Sequence, residues 1–389
     1  MISRPPRRIR IRSSLLFTLG FALVTGTALA ETAPSGWGTW RGDAAQTGVA
    51  RGTVSDAPSE AWTYRAGGPI RSSAVLSQEL VFFGSDDHHL HALERTTGKL
   101  RWKGATEGPI EAPPALLGDR VIVGSTDGSA YAFDAATGKR LWRLETDGKI
   151  IGAPSALPAP GGEIRRAVIG SYDGVLRAFD LADGKVVWEH STGAQIHASP
   201  AVVGGQVVFG GCDGKLHVLD AATGKPLRAL TIESQMGASP AVFAGQVFLG
   251  HFGNAVFMAN VTKGEPGWVS RNRSFPYLSS VAVDATHVIV GGRDRQVHCL
   301  DRKTGEERWV APTRGKVDTS PVIAGRRVVV GSLDGRLRIL RLEDGEPVWT
   351  EDLGAGILAS PAVADGRIYL GAMDGVFRAF APKPGKATR

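Results

Sequence analysis

The sequence is poor in cysteine and lacks the short motifs of the common catalytic sites. Its 389 residues include two cysteines, Cys212 and Cys299. It contains no nucleophile elbow, no phosphate-binding glycine loop and no zinc-binding helix motif. We therefore predict a protein that is not an enzyme, with no catalytic residue, no cofactor-binding residue and no metal site.

Outside the first 30 residues the chain also has little net charge. The chain carries 45 Lys and Arg against 38 Asp and Glu. Five of the arginines and none of the acidic residues lie in the first 30 positions, so the remainder has a net charge of +2. A nearly neutral protein offers no electrostatic footprint for nucleic acid, which excludes nucleic acid as a partner.

The first 30 residues have the pattern of a secretory signal peptide. Basic residues at 4–12 precede an apolar stretch at 15–24, and the segment ends in Ala28-Leu29-Ala30. This order predicts export, cleavage after Ala30, and a periplasmic or secreted protein without an integral membrane segment. An uncleaved membrane anchor is the alternative, and the sequence does not separate Sec from twin-arginine export. No cysteine follows the cleavage site, so a lipid anchor of the bacterial lipoprotein type is not expected.

A repeat of about 40 residues governs the rest of the chain. A glycine closing a short apolar run recurs at Gly84, Gly124, Gly170, Gly210, Gly250, Gly291, Gly331 and Gly371. A second marker with the same spacing lies upstream at Ala74, Pro114, Pro154, Pro200, Pro240, Val281, Pro321 and Pro361. Because two independent markers agree, the chain contains eight repeat units.

Each unit contains four short β-rich runs joined by turn residues. In the second unit the runs are residues 115–117, 120–124, 129–134 and 140–144. Gly118-Asp119 and Asp127-Gly128 separate the first three, as two-residue hairpin turns require. Runs such as Val328-Val329-Val330 are apolar throughout, so both faces of each small sheet must be buried. The sequence therefore predicts an all-β fold, an eight-bladed β-propeller of four-stranded antiparallel blades.

Closure of the ring explains why the last repeat is incomplete. The eighth unit supplies three strands and ends near Ala381, whereas residues 60–65, with Trp62, precede the first unit. We expect this N-terminal strand to complete blade 8. The chain then divides into a signal peptide (1–30), an N-terminal arm (31–59), the propeller (60–381) and a basic C-terminal tail (382–389).

A tryptophan four residues after a turn glycine recurs in most units. An indole at this position can dock against the neighbouring blade while its N–H finds a backbone acceptor. The predicted structural docking residues are Trp62, Trp102, Trp142, Trp188, Trp268, Trp309 and Trp349. Blade 4 departs from the pattern with Arg228, and blade 5 has Gly253-Asn254 where other blades have Asp-Gly.

One position near the start of each first strand varies while its neighbours repeat. These eight positions, which we call the ring, are Arg71, Glu111, Ile151, His197, Gly237, Leu278, Asp318 and Leu358. They should approach the mouth of the central channel, where variation on a uniform scaffold suits recognition. The candidate binding residues among them are Arg71, Glu111, His197, Leu278, Asp318 and Leu358. Solvent-exposed positions also tolerate substitution, and this alternative accounts for the same variation equally well.

A basic and aromatic cluster follows blade 5. Arg271, Arg273, Phe275 and Tyr277 form the only such cluster after the signal peptide. Aromatic and arginine side chains are favoured at protein interfaces, so this patch is a candidate interface. The alternative is that Phe275 and Tyr277 pack between the adjoining blades.

Blade 1 contains a cluster that superficially suggests a metal site. It includes Asp87, His89 and His91, but no fourth ligand is identifiable, so we do not assign a metal to it.

The two cysteines fall two blades apart. This separation is beyond the reach of a disulfide, and we expect both thiols to be free.

The repeat resembles that of the PQQ-like, or quinoprotein-dehydrogenase-like, eight-bladed propellers. Residues 124–142 and 170–188 are similar to the pattern Gly-Ser-x-Asp-Gly-x-Leu-x-Ala-x-Asp-x-x-Thr-Gly-Lys-x-x-Trp. Residues 37–48 are similar to the arm that precedes many stand-alone members. The resemblance covers residues 37–381 and implies the fold. It leaves the function open, because this fold serves oxidoreductases, assembly factors and sensor domains.

The resemblance implies three classes of function. The first is a non-catalytic scaffold in the cell envelope, similar to BamB-type outer-membrane protein assembly factors, with another envelope protein as partner. The second is an extracytoplasmic module that senses a small ligand or a polysaccharide. The third is a PQQ-dependent dehydrogenase, whose family implies a vicinal cysteine pair and several oxygen ligands for calcium. Because this sequence has no adjacent cysteines, we favour the scaffold; the sequence does not indicate an oligomeric state.

Overall fold

The chain folds into eight four-stranded antiparallel sheets. A computed structural model describes residues 36–159, 162–232, 234–271 and 274–383. These residues form no α-helix and a single 3₁₀ turn, Trp40–Gly42. Within them no helix is long and apolar enough to span a membrane. The predicted signal peptide, residues 31–35 of the arm, Arg273 and residues 384–389 of the tail lie outside the described residues.

The strands are numbered β1 to β32 in chain order, and the first strand, β1, spans Pro58–Arg65. Blade 1 contains β2 (Val75–Leu76), β3 (Leu80–Gly84), β4 (His89–Glu94) and β5 (Leu100–Ala105). Blade 2 contains β6 (Ala115–Leu117), β7 (Arg120–Gly124), β8 (Ser129–Asp134) and β9 (Arg140–Glu145). Blade 3 contains β10 (Ser155–Pro158), β11 (Ile164–Gly170), β12 (Val175–Asp180) and β13 (Val186–Ser191). Blade 4 contains β14 (Ala201–Val203), β15 (Gln206–Gly210), β16 (Lys215–Asp220) and β17 (Pro226–Thr231).

The second half of the ring repeats this arrangement. Blade 5 contains β18 (Ala241–Phe243), β19 (Gln246–His251), β20 (Ala255–Asn260) and β21 (Glu265–Arg271). Blade 6 contains β22 (Ala282–Val283), β23 (His287–Gly292), β24 (Gln296–Asp301) and β25 (Glu307–Pro312). Blade 7 contains β26 (Val322–Ala324), β27 (Arg327–Gly331), β28 (Arg336–Arg341) and β29 (Pro347–Asp352). Blade 8 contains β30 (Ala362–Ala364), β31 (Arg367–Gly371), β32 (Val376–Pro382) and β1.

The two ends of the propeller pair with each other, which confirms the predicted closure. Strand β1 runs antiparallel to β32, with Trp62 opposite Ala379 and Arg65 opposite Val376. The first strands of neighbouring blades lie against one another around the channel, and β2 of blade 1 contacts β30 of blade 8. The eight sheets therefore form a closed ring.

The hydrophobic core lies in layers between neighbouring blades. Between blades 1 and 2, for example, Phe82 and Trp102 pack with Val121 and Phe133, all buried. Each blade contributes one face to the layer before it and one face to the layer after it. This arrangement explains why the middle strands are apolar at consecutive positions instead of alternating with polar residues.

The hairpin turn after each second strand needs a left-handed backbone. Gly128 occupies this position in blade 2 with φ +89°, whereas blades 1, 5 and 6 place His88, Asn254 and Arg295 there at +66°, +58° and +67°. The turn therefore keeps its conformation when glycine is replaced. The three substituted residues carry the strain of a positive φ in a residue with a Cβ atom.

Candidate functional site

The N-terminal arm crosses one end of the central channel. Carbonyl oxygens of the arm accept hydrogen bonds from backbone N–H groups in the first strands of six blades. The donor and acceptor pairs are Leu76–Trp37, Leu116–Gly38, Val202–Ala44, Val242–Ala45, Val283–Thr47 and Ile323–Gly48, at 2.8–2.9 Å. Because these strands lie on opposite sides of the channel, the arm closes that end.

Two side chains anchor the arm from inside the channel. Arg41 is 1 % exposed and donates hydrogen bonds to the carbonyls of Pro321 at 2.6 Å and Val281 at 2.8 Å. The amide of Gln46 donates to the carbonyl of Pro200 at 2.7 Å. Burial lowers the pKa of Arg41 to about 9, so its guanidinium is still protonated at neutral pH. All three acceptors occupy the second marker position of the repeat.

Serine hydroxyls link the first strands between the ring and the arm. A backbone N–H of one blade donates to a serine Oγ of the next at 2.8–2.9 Å. The donor and acceptor residues are Ala153–Ser199, Ser199–Ser239, Ser239–Ser280, Ser280–Ser320, Ser320–Ser360 and Ser360–Ser73. Because each hydroxyl accepts in these bonds, its own proton remains available for an acceptor in the channel.

All eight ring positions line one small cavity at the other end of the channel. Its volume is about 150 Å³, and the six serines of the ladder also contribute to its walls. Trp40 of the arm reaches the same cavity. The indole Nε1 of Trp40 is buried without a hydrogen-bond partner among the described residues. The structure thus brings the sequence-predicted ring together around a channel mouth that the arm closes from below.

The charged residues at the mouth are paired with one another. Arg71 lies 2.9 Å from the carboxylate of Glu111 and 3.3 Å from that of Asp86. Burial raises the pKa of Asp86, against the opposing effect of Arg71. On the other side of the channel Arg293 donates to both carboxylate oxygens of Asp318, at 3.0 and 2.9 Å. Each of these three carboxylates therefore lies beside an arginine, and Arg71 is shared between two of them.

A second part of the mouth carries neutral polar and apolar groups. His197 Nδ1 and the hydroxyl of Tyr172 are 2.6 Å apart. His197 is open to the solvent in the cavity, although the surrounding walls reduce its hydration and lower the pKa of its imidazole. Leu278 and Leu358 continue the lining around the channel. This part of the mouth suits apolar contacts combined with hydrogen bonds to neutral groups.

Sequence reasoning missed a second set of residues at the mouth. Asp86, Tyr172, Phe252 and Arg293 contact ring residues, and all four occupy the variable position in the Gly-Ser-x-Asp-Gly part of the repeat. Comparing the repeat units, which identified the ring, would also have found these residues, because their position varies whereas the positions on either side of it repeat. In four blades a second variable position therefore adjoins the ring.

The histidine cluster of blade 1 has a packing role. His91 has no exposed surface, and its Nε2 lies 3.0 Å from the carboxylate of Asp87 while its Nδ1 lies 3.2 Å from the Tyr64 hydroxyl. Its ring stacks on Phe83.

Six other blades contain the same contact between the turn aspartate and the residue four positions later. These pairs are Asp127–Tyr131, Asp173–Arg177, Asp213–His217, Asp294–His298, Asp334–Arg338 and Asp374–Arg378. Within the described residues no group of three potential ligands is placed to hold a metal ion.

The basic and aromatic patch is only partly exposed. Tyr277 is 5 % exposed and packs in the layer between blades 5 and 6, as the packing alternative expects. Phe275 is 45 % exposed, and Arg271 ends β21 on the surface. Arg273 lies outside the described residues.

The two cysteines are free, and burial raises the pKa of Cys299 to about 12.

The channel mouth does not fit PQQ and calcium. Its 150 Å³ is below the range of about 300–1,000 Å³ usual for small-molecule sites. The carboxylates of Glu111 and Asp318 are engaged by arginines, whereas calcium requires six or more oxygen ligands. The residues of this mouth therefore do not form the cofactor site that a quinoprotein dehydrogenase needs.

The sequence matches the family described as outer membrane protein assembly factor BamB. The matched segments are residues 26–170, 172–281, 276–352 and 338–388. Together they span the arm and all eight blades. No curated protein matches the sequence.

Solved structures of several kinds share the fold, among them an assembly factor and dehydrogenases. BamB from Moraxella catarrhalis has a TM-score of 0.72 and 21% identity, over 84% of this chain and 98% of that one. A europium-containing methanol dehydrogenase has a TM-score of 0.76 and 12% identity, over 90% of this chain and 98% of that one. The quinohemoprotein alcohol dehydrogenase of Comamonas testosteroni has a TM-score of 0.74 and 14% identity, over 91% and 82%. At these identities the similarity shows the fold alone.

Proposed function

Because this chain belongs to the family described as outer membrane protein assembly factor BamB, we propose that it is a non-catalytic, protein-binding scaffold of the cell envelope. The ring at the channel mouth is the proposed contact surface. The basic N-terminal segment and the family agree with an envelope location.

The observation that carries this proposal is the chemistry of the channel mouth. Its ring carboxylates each face an arginine, its volume is small, and the arm blocks passage through the channel. Such a mouth has little room for a substrate, and the carboxylates of its ring are held in ion pairs with arginines. It does present a rigid rim of varied side chains, which is the usual basis of specific protein recognition.

Site-specific crosslinking tests the proposal. A photoreactive benzophenone side chain at position 151, in the ring, is expected to crosslink one defined envelope protein in cells. The combined changes Arg71→Gln, His197→Gln and Asp318→Asn should reduce that crosslink at least about tenfold, because they alter the proposed contact surface. Mass spectrometry identifies the partner, and thermal melting verifies that the variant is folded.

The matched control changes charge and hydrogen bonding far from the mouth. Asp183→Asn with Lys185→Gln removes an exposed ion pair on an outer turn of blade 3 and should leave the crosslink unchanged. A crosslink that survives the ring changes would refute the ring as the contact surface. Dye-linked alcohol oxidation by the purified protein with PQQ and calcium would refute its non-catalytic nature.

A further inference from the structure

Neighbouring blades meet at a seam, and six of the seams have the same aromatic lock. An indole covers the turn glycine of the next blade, and its Nε1 donates to a backbone carbonyl of that blade at 2.9–3.1 Å. The indole and glycine pairs are Trp62–Gly98, Trp102–Gly138, Trp142–Gly184, Trp188–Gly224, Trp268–Gly305 and Trp309–Gly345. At the seam of blades 7 and 8, Trp349 packs edge-on against Phe380.

The seam between blades 4 and 5 lacks this lock. Arg228 of β17 takes the place of the indole, and a Cβ atom added at Gly264 would lie 3.1 Å from Arg228 Cδ. A guanidinium stem is narrower than an indole and fills less of the slot. Arg228 Nη1 is buried without a hydrogen-bond partner among the described residues.

Blade 5 departs from the repeat at the same seam. It has Gly253 in place of the turn aspartate, and Phe257 in place of the His, Tyr or Arg that pairs with it. Two independent features of the repeat are therefore missing at one place.

These departures leave a cavity of about 460 Å³, which we call the seam pocket. Leu230, Ile232, Phe257 and Val269 supply apolar walls. Val269 is 49 % exposed, so the pocket opens to solvent. The volume lies within the range of about 300–1,000 Å³ that ligand sites occupy.

The one formally charged side chain among the described lining residues of the seam pocket is basic. Arg271 and His251 contribute to its lining, and Arg228 lies beside it on the same strand as Leu230. Among the described residues its lining contains no aspartate or glutamate. A ligand with an apolar body and negative charge matches this combination.

We propose that the seam pocket binds an aromatic side chain from an acidic segment of a partner protein. The other seams show that these surfaces accept an aromatic ring, because the chain places its own indole against six of the equivalent glycines. Arg271, which lines the pocket, provides hydrogen-bond donors for carboxylates next to that ring. This site is separate from the ring and does not depend on the proposed role of the ring.

Fluorescence anisotropy with short labelled peptides tests the proposal. The probe is fluorescein-labelled Asp-Glu-Trp-Glu-Asp, with one control peptide that has Ala for Trp and another that has Asn and Gln for the acids. The wild-type protein should bind the probe saturably, and each control peptide at least about tenfold more weakly. Absence of saturable binding, or equal binding of a control peptide, overturns the proposal.

Two variants fill the seam pocket from opposite sides. Arg228→Trp restores the repeat, so it should raise the melting temperature and weaken probe binding at least about tenfold. Val269→Trp should weaken binding similarly from an exposed position that tolerates a larger side chain. Unchanged affinity in both folded variants overturns the proposal.

A charge variant and its control complete the test. Arg271→Gln should weaken binding of the acidic probe, whereas Arg101→Gln, on the outer strand of blade 1, should not. The ring variant Arg71→Gln, His197→Gln, Asp318→Asn should bind the probe like the wild type. A loss of binding in the ring variant would place the probe at the channel mouth and refute the seam pocket.

Discussion

At the docking glycines, a single methyl group decides whether two blades fit. A Cβ atom at Gly138 would lie 2.5 Å from the ring of Trp102, and its φ of +72° disfavours any side chain. Gly118 has a similar φ of +66°, but nothing lies within 4 Å of an added Cβ. Comparing the two positions separates the backbone strain from the clash with the indole.

We expect Gly118→Ala to lower the free energy of unfolding by about 1 kcal/mol, from backbone strain alone. Gly138→Ala should cost about 3 kcal/mol, because Trp102 must also move. Gly264→Ala should fall between them, since Arg228 Cδ is part of a flexible side chain. Denaturant unfolding measures all three. Equal costs for Gly118→Ala and Gly138→Ala would show that the indole does not pack tightly on its glycine.

At the scale of the elements, the resemblance predicted that an arm precedes the propeller. The residues of the arm alone did not predict its role. Nothing in the repeat indicates that Arg41 enters the channel, because the arm has no repeat of its own. Its contacts depend on a ring of carbonyls that exists only after the eight blades have closed. The ring positions, in contrast, were predictable since each has seven equivalents for comparison.

We expect Arg41→Met to lower the free energy of unfolding by about 3 kcal/mol, because the carbonyls of Val281 and Pro321 lose their donors in a buried site. Arg51→Met is the matched control, since Arg51 is exposed near the end of the same arm. It should change the free energy by no more than about 0.5 kcal/mol. Denaturant unfolding compares the two variants, and similar losses in both would contradict an anchoring role for Arg41.

At the scale of the whole molecule, the repeat predicted the fold because every blade must bury two faces against its neighbours. The same regularity shows where prediction from the sequence ends. The sequence reveals that Arg228 replaces a docking tryptophan, but not whether neighbouring side chains collapse into the vacated slot. Phe257 and Gly253 lie in the next blade, so the cavity emerges only when two separate departures meet across one seam.

Because the seam between blades 4 and 5 lacks a docked indole, we expect local opening to be more frequent there than at the other seams. Local opening costs least where apolar contacts are fewest, so amide hydrogen exchange should be fastest along β17 and β21, which flank the seam pocket. The equivalent outer strands β13 and β25 have a docked indole at both of their seams, whereas β17 and β21 have one at a single seam, so β13 and β25 should exchange more slowly. Arg228→Trp should slow exchange in β17 and β21 while leaving β13 and β25 unchanged, as mass spectrometry of exchanged peptides can measure. Equal protection at all four outer strands in the wild type would mean that Arg228 holds its seam as firmly as an indole does.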